Sequence, residues 1–249
     1  MPVDPALHRA QRLAPLCVAV VGMGGRFASA PDVKTLWSNI ESGVDASEAV
    51  PAERWLLDPS TVHDPRLGLI DHAVSVRACL VERFSPPTLR LFGRPIDGLD
   101  PMAHLAIDAA TTAWRDASAH SRVRDRHRVG VVFGNIVLPT EAVSELTRSW
   151  FAEQLRLAGV PVPQGADPGS IDPTNAFVAG FPAALVAGAL GVTGPAFTLD
   201  AACASSLYAV KIACDWLRDG VVDVVLAGGT SRPDSLYTQM GFSQLRALS

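Results

Sequence analysis

Residues 195–229 read as a strand, a sharp turn, a helix and a second strand, and this succession restricts the chain to an α/β fold containing parallel strands. Pro195-Ala-Phe-Thr-Leu199 leaves the Gly191-Val192-Thr193-Gly194 turn as a short strand. Leu207, Val210, Cys214 and Leu217 then recur at helical spacing as one apolar stripe, with Lys211, Asp215 and Arg218 on the opposite face. Gly220 stands where a helix ends in a left-handed residue. Val221–Ala227 is nearly all apolar, as in a strand buried on both faces, and closes a right-handed βαβ unit before Gly228-Gly229 breaks the run.

The turn carries Cys203, in Leu199-Asp-Ala-Ala-Cys-Ala-Ser-Ser-Leu207. A thiol at the first turn of a helix faces unpaired backbone N–H groups and the positive end of the macrodipole. Both favour the thiolate, which is the nucleophilic form. The competing reading is a small buried hydrophobe, the usual fate of a free cysteine. Ala201, Ala202, Ala204, Ser205 and Ser206 are small and leave access to Cys203 open. Cys214, on the apolar stripe, suits packing better, and no chemistry is assigned to Cys17 or Cys79.

Elsewhere the chain repeats the α/β pattern. Leu16–Val21 is expected to be a first buried strand, leading through Gly22-Met-Gly-Gly25 to a helix with Val33, Leu36, Trp37 and Ile40, stopped by Gly43. Residues 44–99 are long and irregular, with an extended piece expected near Val74–Val81; a loop of this length is usually functional or an interface. Asp100 caps and Pro101 starts a helix to about Ala117, and Val129–Phe133 is a second buried strand. Thr140 opens a helix with Val143, Leu146, Trp150 and Leu157 on one face. Gly159–Pro173 is a proline-rich loop, and Asn175–Leu190 an Ala/Gly-rich helix interrupted at Pro182.

Composition excludes more than it assigns. A net charge of −4 without Lys/Arg clusters argues against nucleic acid and anionic membranes as partners. Four cysteines without paired short spacing indicate neither a disulfide framework nor a zinc site. Arg9 and Arg12 before an apolar run imitate a signal peptide, but no small-x-small cleavage site follows, so a cytoplasmic location is expected. No run reaches the roughly 18 apolar residues of a membrane span. Gly22-Met-Gly-Gly25 lacks the third glycine of a dinucleotide fingerprint, where Phe27 stands, and no bound cofactor is expected. A hydrophobic content of 48% suggests surface reserved for other protein.

Asp200-Ala-Ala-Cys203-Ala-Ser-Ser-Leu207 followed by Leu226-Ala-Gly-Gly229 resembles the active-site region of β-ketoacyl synthases, most closely the ketosynthase domains of modular type I polyketide synthases. Val18–Phe27, Pro31–Trp37, Val50–Trp55, Asp100-Pro101, Val129–Gly134 and Gly241–Ser249 match the family in the same order. The resemblance covers the chain from about Leu16 onward. It implies a thiolase-like layered α/β fold, mainly the N-terminal half of a duplicated unit, spanning 16–249 after an extension over 1–15.

The implied reaction is decarboxylative Claisen condensation in polyketide or fatty acid biosynthesis. Cys203 accepts an acyl group from phosphopantetheine on an acyl carrier protein. The implied partners are that carrier, a second copy in a homodimer, and a C-terminal ketosynthase half or other polyketide synthase domains. Asn135, Ile136 and Val137, just after the second strand, are candidates to line the acyl pocket.

The chain departs from the family at several positions. Ala201 and Ala204 replace the usual Thr and Ser beside the nucleophile, Met102-Ala-His104 replaces Gln-Gln-Arg, and Phe181 stands where many relatives have Asn. The family's two downstream histidines, in His-Gly-Thr-Gly-Thr and Asn-x-Gly-His-like motifs, and the lysine between them do not occur in these 249 residues. All six histidines (8, 63, 72, 104, 120 and 127) precede Cys203 and read as ordinary surface or loop residues. The Cys203 N–H is the one oxyanion donor expected here. Two alternatives stand beside the ketosynthase reading. One is a non-catalytic scaffold that dimerises or docks a carrier; the other is an unrelated thiol hydrolase using Cys203 with a distant histidine.

Overall fold

A computed structural model describes residues 17–55, 57–81, 88–136, 138, 140–161, 172–177, 180–232 and 235–248. In chain order the elements are α1 (Val33–Glu41), β1 (Glu48–Ala49), α2 (Pro59–Val62), β2 (Arg77–Ala78), β3 (Arg90–Leu91), β4 (Arg94–Pro95), α3 (Pro101–Asp116), α4 (Ala119–Arg122), β5 (Val129–Gly134), α5 (Glu141–Leu157), α6 (Phe181–Leu190), β6 (Ala196–Leu199), α7 (Ser205–Arg218), β7 (Val224–Gly229) and α8 (Leu236–Gln244).

The main sheet is parallel, in the order β6-β5-β7. β5 is its centre and is buried at every residue. Its alternation divides the two faces. Val129, Val131 and Phe133 join the core formed with Ala103, Ala106, Ile107, Ala110 and Trp114 of α3 and Ala183, Leu185, Val186 and Ala187 of α6. Gly130 and Gly134 point the other way, where a Cβ would meet Trp216 at 2.9 Å and Ser205 at 2.4 Å. The missing side chains let α7 lie close against that face, giving an α/β/α arrangement. Trp216 anchors the far end of α7, with its ring edge-on to Phe197 at 5.5 Å between centroids.

The boundaries of α3 agree with the sequence reading. The Asp100 carboxylate accepts from Met102 N–H, Pro101 occupies the first turn, and Ala117 is the C-cap. Gly22 and Gly24 pack on this helix: a Cβ at Gly24 would lie 2.2 Å from the Ala109 carbonyl oxygen. Met23 N–H donates to Asp116 at 2.8 Å. The glycine turn is therefore a backbone-to-helix contact.

The described residues within 44–99 include two short antiparallel pairs and an apolar shelf for α8. Val50, Trp55 and Val62 cluster with Val76, Ala78, Leu236 and Met240. Gln239 Nε2 donates to the Ser75 carbonyl, and Val74 N–H donates to Ser243 Oγ, each at 3.0 Å. β2 falls within the extended piece expected near Val74–Val81.

Several expectations are corrected. Residues 17–21 are exposed and belong to no strand. An apolar run becomes a strand only beside a hydrogen-bonding neighbour, and neither edge of the three-strand sheet takes it. β7 begins at Val224, is half-buried and pairs with β5, so the β6-α7-β7 crossover spans an intervening strand. Pro182 lies in the first turn of α6 and opens that helix without interrupting it. The Gly159–Pro173 loop falls mostly outside the described residues. On α5, capped by Thr140 as expected, Trp150 and Leu157 are exposed while Ser149 and Ala152 are buried.

The apolar stripe of α7 is also displaced from its expected role. Ser205, Ala209 and Ala213 form the buried face, whereas Leu207, Tyr208 and Val210 are exposed. Lys211, Asp215 and Arg218 do form a solvent face, where ion pairing to Lys211, then Arg218, holds the Asp215 carboxyl below its ordinary value. Replacing Leu207 and Val210 together with glutamine is expected to change stability by no more than about 0.5 kcal/mol per site. Urea unfolding would check this; a much larger loss would mean that the stripe is covered in solution.

Candidate active site

The three parallel strands end together: Gly134 of β5 is in register with Leu199 of β6 and with Gly229 of β7. Asn135 N–H donates to the Leu199 carbonyl at 3.0 Å, and Thr230 N–H to the Gly134 carbonyl at 2.9 Å, extending the ladder beyond the strands. In open α/β sheets the crevice beyond the carboxyl ends of the strands is where ligands bind. Cys203 lies at this end.

The chain leaves β6 through an elbow. The Asp200 carboxylate accepts from Ala202 N–H at 2.8 Å. Ala202 has φ +49°, a left-handed conformation that costs a residue with a side chain roughly 1–2 kcal/mol. Ser205 Oγ accepts from Ala201 N–H at 2.9 Å and donates to the Ala202 carbonyl at 2.7 Å. Ala202–Ala204 form one turn of 3-10 helix, and α7 starts at Ser205 with Ala204 as an N-cap that has no side-chain hydrogen bond. Cys203 is exposed on that turn. The sulfur thus stands beside the N-terminus of a four-turn helix, open to a reactant.

The elbow fits because glycine surrounds it. A Cβ at Gly134 would be 2.4 Å from the Ser205 carbonyl carbon, and one at Gly229 would be 3.1 Å from the Ser206 Cβ. Sequence reasoning took Gly228-Gly229 as a strand breaker and as part of a family motif, and it named Ser205 only as a small neighbour of Cys203 and Gly134 only as the end of a matching block. The signal was present in the small-large alternation of Val129-Gly-Val-Val-Phe-Gly134, which marks one strand face as room for a close neighbour.

Of the candidate pocket residues, Asn135 is buried directly after β5 and Ile136 is half-buried. Val137 lies outside the described residues. Cys214 is half-buried, and Cys17 and Cys79 are exposed, all as free thiols. Cys79 lines a separate 380 Å³ cavity with Arg54, Trp55, Arg77, Arg232 and Gln239; Cys203 does not line it.

The histidine reading needs one correction. His104 is buried inside α3, with Nε2 at 2.8 Å from the Ile96 carbonyl oxygen. Position 104 follows the cap by one turn and faces the core, among the apolar Met102, Ala103, Leu105 and Ala106. His127 is exposed beside Thr193, and His72 Nδ1 lies 3.0 Å from the Ile70 carbonyl. Among the described residues no histidine is hydrogen-bonded to Cys203. Among the described residues no group of three His, Cys, Asp or Glu side chains is placed to hold a metal, and no helix there is long and apolar enough to cross a membrane.

A parallel sheet with α3 and α6 on one face and α7 close-packed on the other places the chain in the thiolase-like fold, which its solved neighbours share. The β-ketoacyl synthase N-terminal domain family matches residues 17–249, and the chain belongs to that family.

Similar curated proteins include a mycocerosic acid synthase-like polyketide synthase of Mycolicibacterium smegmatis, 30% identical over 221 residues, covering 86% of this chain and 9% of that protein. Polyketide synthase ThaG of Burkholderia thailandensis is 27% identical over 217 residues, covering 86% of this chain and 4% of the relative. The chain thus spans only a small part of the curated relatives it matches.

Among solved structures, the PfaC keto synthase-chain length factor superposes with a TM-score of 0.80 at 28% identity, over 92% of this chain and 26% of that one. The ketosynthase from module 6 of the bacillaene synthase from Bacillus subtilis shares the fold, with a TM-score of 0.67 at 24% identity over 93% and 34% of the two chains.

Proposed function

We propose that this chain is the acyl-accepting portion of a polyketide β-ketoacyl synthase, with Cys203 as its nucleophile. The observation that carries the reading is an exposed cysteine on a left-handed elbow, where a parallel strand ends and a helix begins. The Cys203 thiolate attacks the carbonyl carbon of an acyl thioester on the phosphopantetheine of an acyl carrier protein. A C–S bond forms at Cys203, the original thioester bond breaks, and phosphopantetheine departs as a thiolate that takes up a proton. The Cys203 N–H is a candidate donor to the oxyanion of that step.

Condensation follows in the same reading. A carrier-bound malonyl unit loses carbon dioxide, and its carbanion attacks the acyl-cysteine and expels the Cys203 thiolate. The family's two histidines and lysine serve this second step, and the 249 residues do not contain their motifs. A C-terminal ketosynthase half, another polyketide synthase domain or a second copy of the chain is the partner class, in a cytoplasmic setting. Asn135, Ile136 and Val137 belong to the acyl pocket, and the chain itself holds no cofactor. The PfaC neighbour is a keto synthase-chain length factor, which supports pairing between ketosynthase-like halves.

Incubation with an acyl-N-acetylcysteamine thioester, read by peptide mass spectrometry, tests the proposal. One acyl group per chain is expected, on Cys203, with none on the Cys203→Ala variant, and malonyl-carrier decarboxylation is not expected from this chain alone. Equal slow modification of Cys203 and Cys79, both exposed, would overturn the reading in favour of a non-catalytic scaffold.

A further inference from the structure

We propose that Ser205 is a positioning residue for Cys203, its hydroxyl locking the left-handed turn that aims the thiol. The inference rests on the reading of Cys203 as acyl acceptor. Ser205 is buried, and its Oγ bonds both peptide groups of the elbow, accepting from Ala201 N–H and donating to the Ala202 carbonyl. The first belongs to Ala201 and the second to Ala202 itself, the one residue of the turn with positive φ. A side chain disfavours that conformation, so an alanine there needs bonds that persist only in the left-handed state. The Asp200 carboxylate holds Ala202 N–H from the strand side, and Ser205 closes the turn from the helix side.

Ser205 cannot drift away from this duty, because Gly134 brings the end of β5 against its backbone. Nor does a cap residue substitute for it, since the N-cap is Ala204. The hydroxyl therefore ties the direction of Cys203 to the sheet through one short path. The Sγ position follows from Ala202, Ala202 from Ser205, and Ser205 from Gly134.

Ser205→Ala removes both bonds and keeps the Cβ that packs near Gly134. It is expected to slow acylation of Cys203 by an acyl-N-acetylcysteamine thioester by about tenfold to a hundredfold, the scale of a misplaced reacting group. Iodoacetamide alkylation of Cys79, on a separate surface, is expected to stay at the wild-type rate across pH 6–9. Adding Ala202→Gly is expected to restore most of the lost rate, because glycine holds a positive φ without the clamp. Should Ser205→Ala fail to fold, recovery of folding in the Ala202→Gly/Ser205→Ala pair supports the clamp, and failure of the pair overturns it.

Wild-type acylation in Ser205→Ala would overturn the inference. So would a parallel change at Cys203 and Cys79 that glycine does not rescue, since general loosening moves both thiols. If the wild-type chain is not acylated at all, the ketosynthase reading fails. The ratio of Cys203 to Cys79 alkylation then still reports whether Ser205 sets the thiol's exposure and direction.

Discussion

Gly134→Ala is expected to destabilise the fold by about 3 kcal/mol and to carry Cys203 out of position. The added Cβ would lie 2.4 Å from the Ser205 carbonyl carbon and 2.7 Å from its oxygen. These are backbone atoms at the start of a helix and cannot rotate aside. α7 has little room to withdraw at its other end, where Trp216 sits over Gly130 and against Phe197. β5 cannot yield either, because Asn135 N–H and Thr230 N–H fix its end to the neighbouring strands. The melting temperature should fall by roughly 6–12 °C, and acylation of Cys203 should fall with it in whatever fraction remains folded. Gly228→Ala is the matched control: a Cβ there meets nothing within 4 Å, and its effect should stay below about 1 kcal/mol. Equal melting temperatures for the two variants would show that α7 does not lie where the geometry places it.

Trp114→Ala is expected to cost about 3–5 kcal/mol, the range for removing a buried aromatic ring. Trp114 belongs to the core shared by α3, α6 and β5. The Arg126 guanidinium lies 5.1 Å above its ring and also reaches the Leu190 carbonyl at 3.4 Å, so the ring supports the turn that leads into β5. Trp114→Phe keeps an aromatic face and should lose less than half as much. Thermal unfolding of both variants checks the order. A Trp114→Ala protein as stable as Trp114→Phe would place the ring outside the core.

Some of this architecture could be read from residue order. Asp100-Pro101 supplies a cap and a first-turn proline, both local devices, and α3 starts where they stand. Val129–Gly134 is apolar or glycine throughout and became the buried central strand. Cys203 between a short strand and a helix was apparent from the period change across it. The resemblance to ketosynthases also rested on ordered local motifs, and the family match covers nearly the same residues.

Other features depended on neighbours that local pattern does not contain. The stripe Leu207-Val210 is periodic enough to be a core face, yet the Gly-bearing side of β5 admits only the small face of Ser205, Ala209 and Ala213. His104 looked like surface because histidine is often exposed, but its turn of α3 faces the core and the Ile96 carbonyl meets its ring. Residues 17–21 have strand-like composition without a strand to pair with among the described elements.

Sequence alone determined the capped helix, the apolar central strand and the cysteine at the strand-to-helix elbow, because each depends on a few adjacent side chains and their backbone preferences. Tertiary structure decided which face of α7 is buried, that β5 intervenes in the β6–β7 crossover, and that Ser205 and Gly134 converge beneath Cys203. Those outcomes are contacts between segments distant in the chain, and packing depends on the shape of both partners, of which a local pattern records only one.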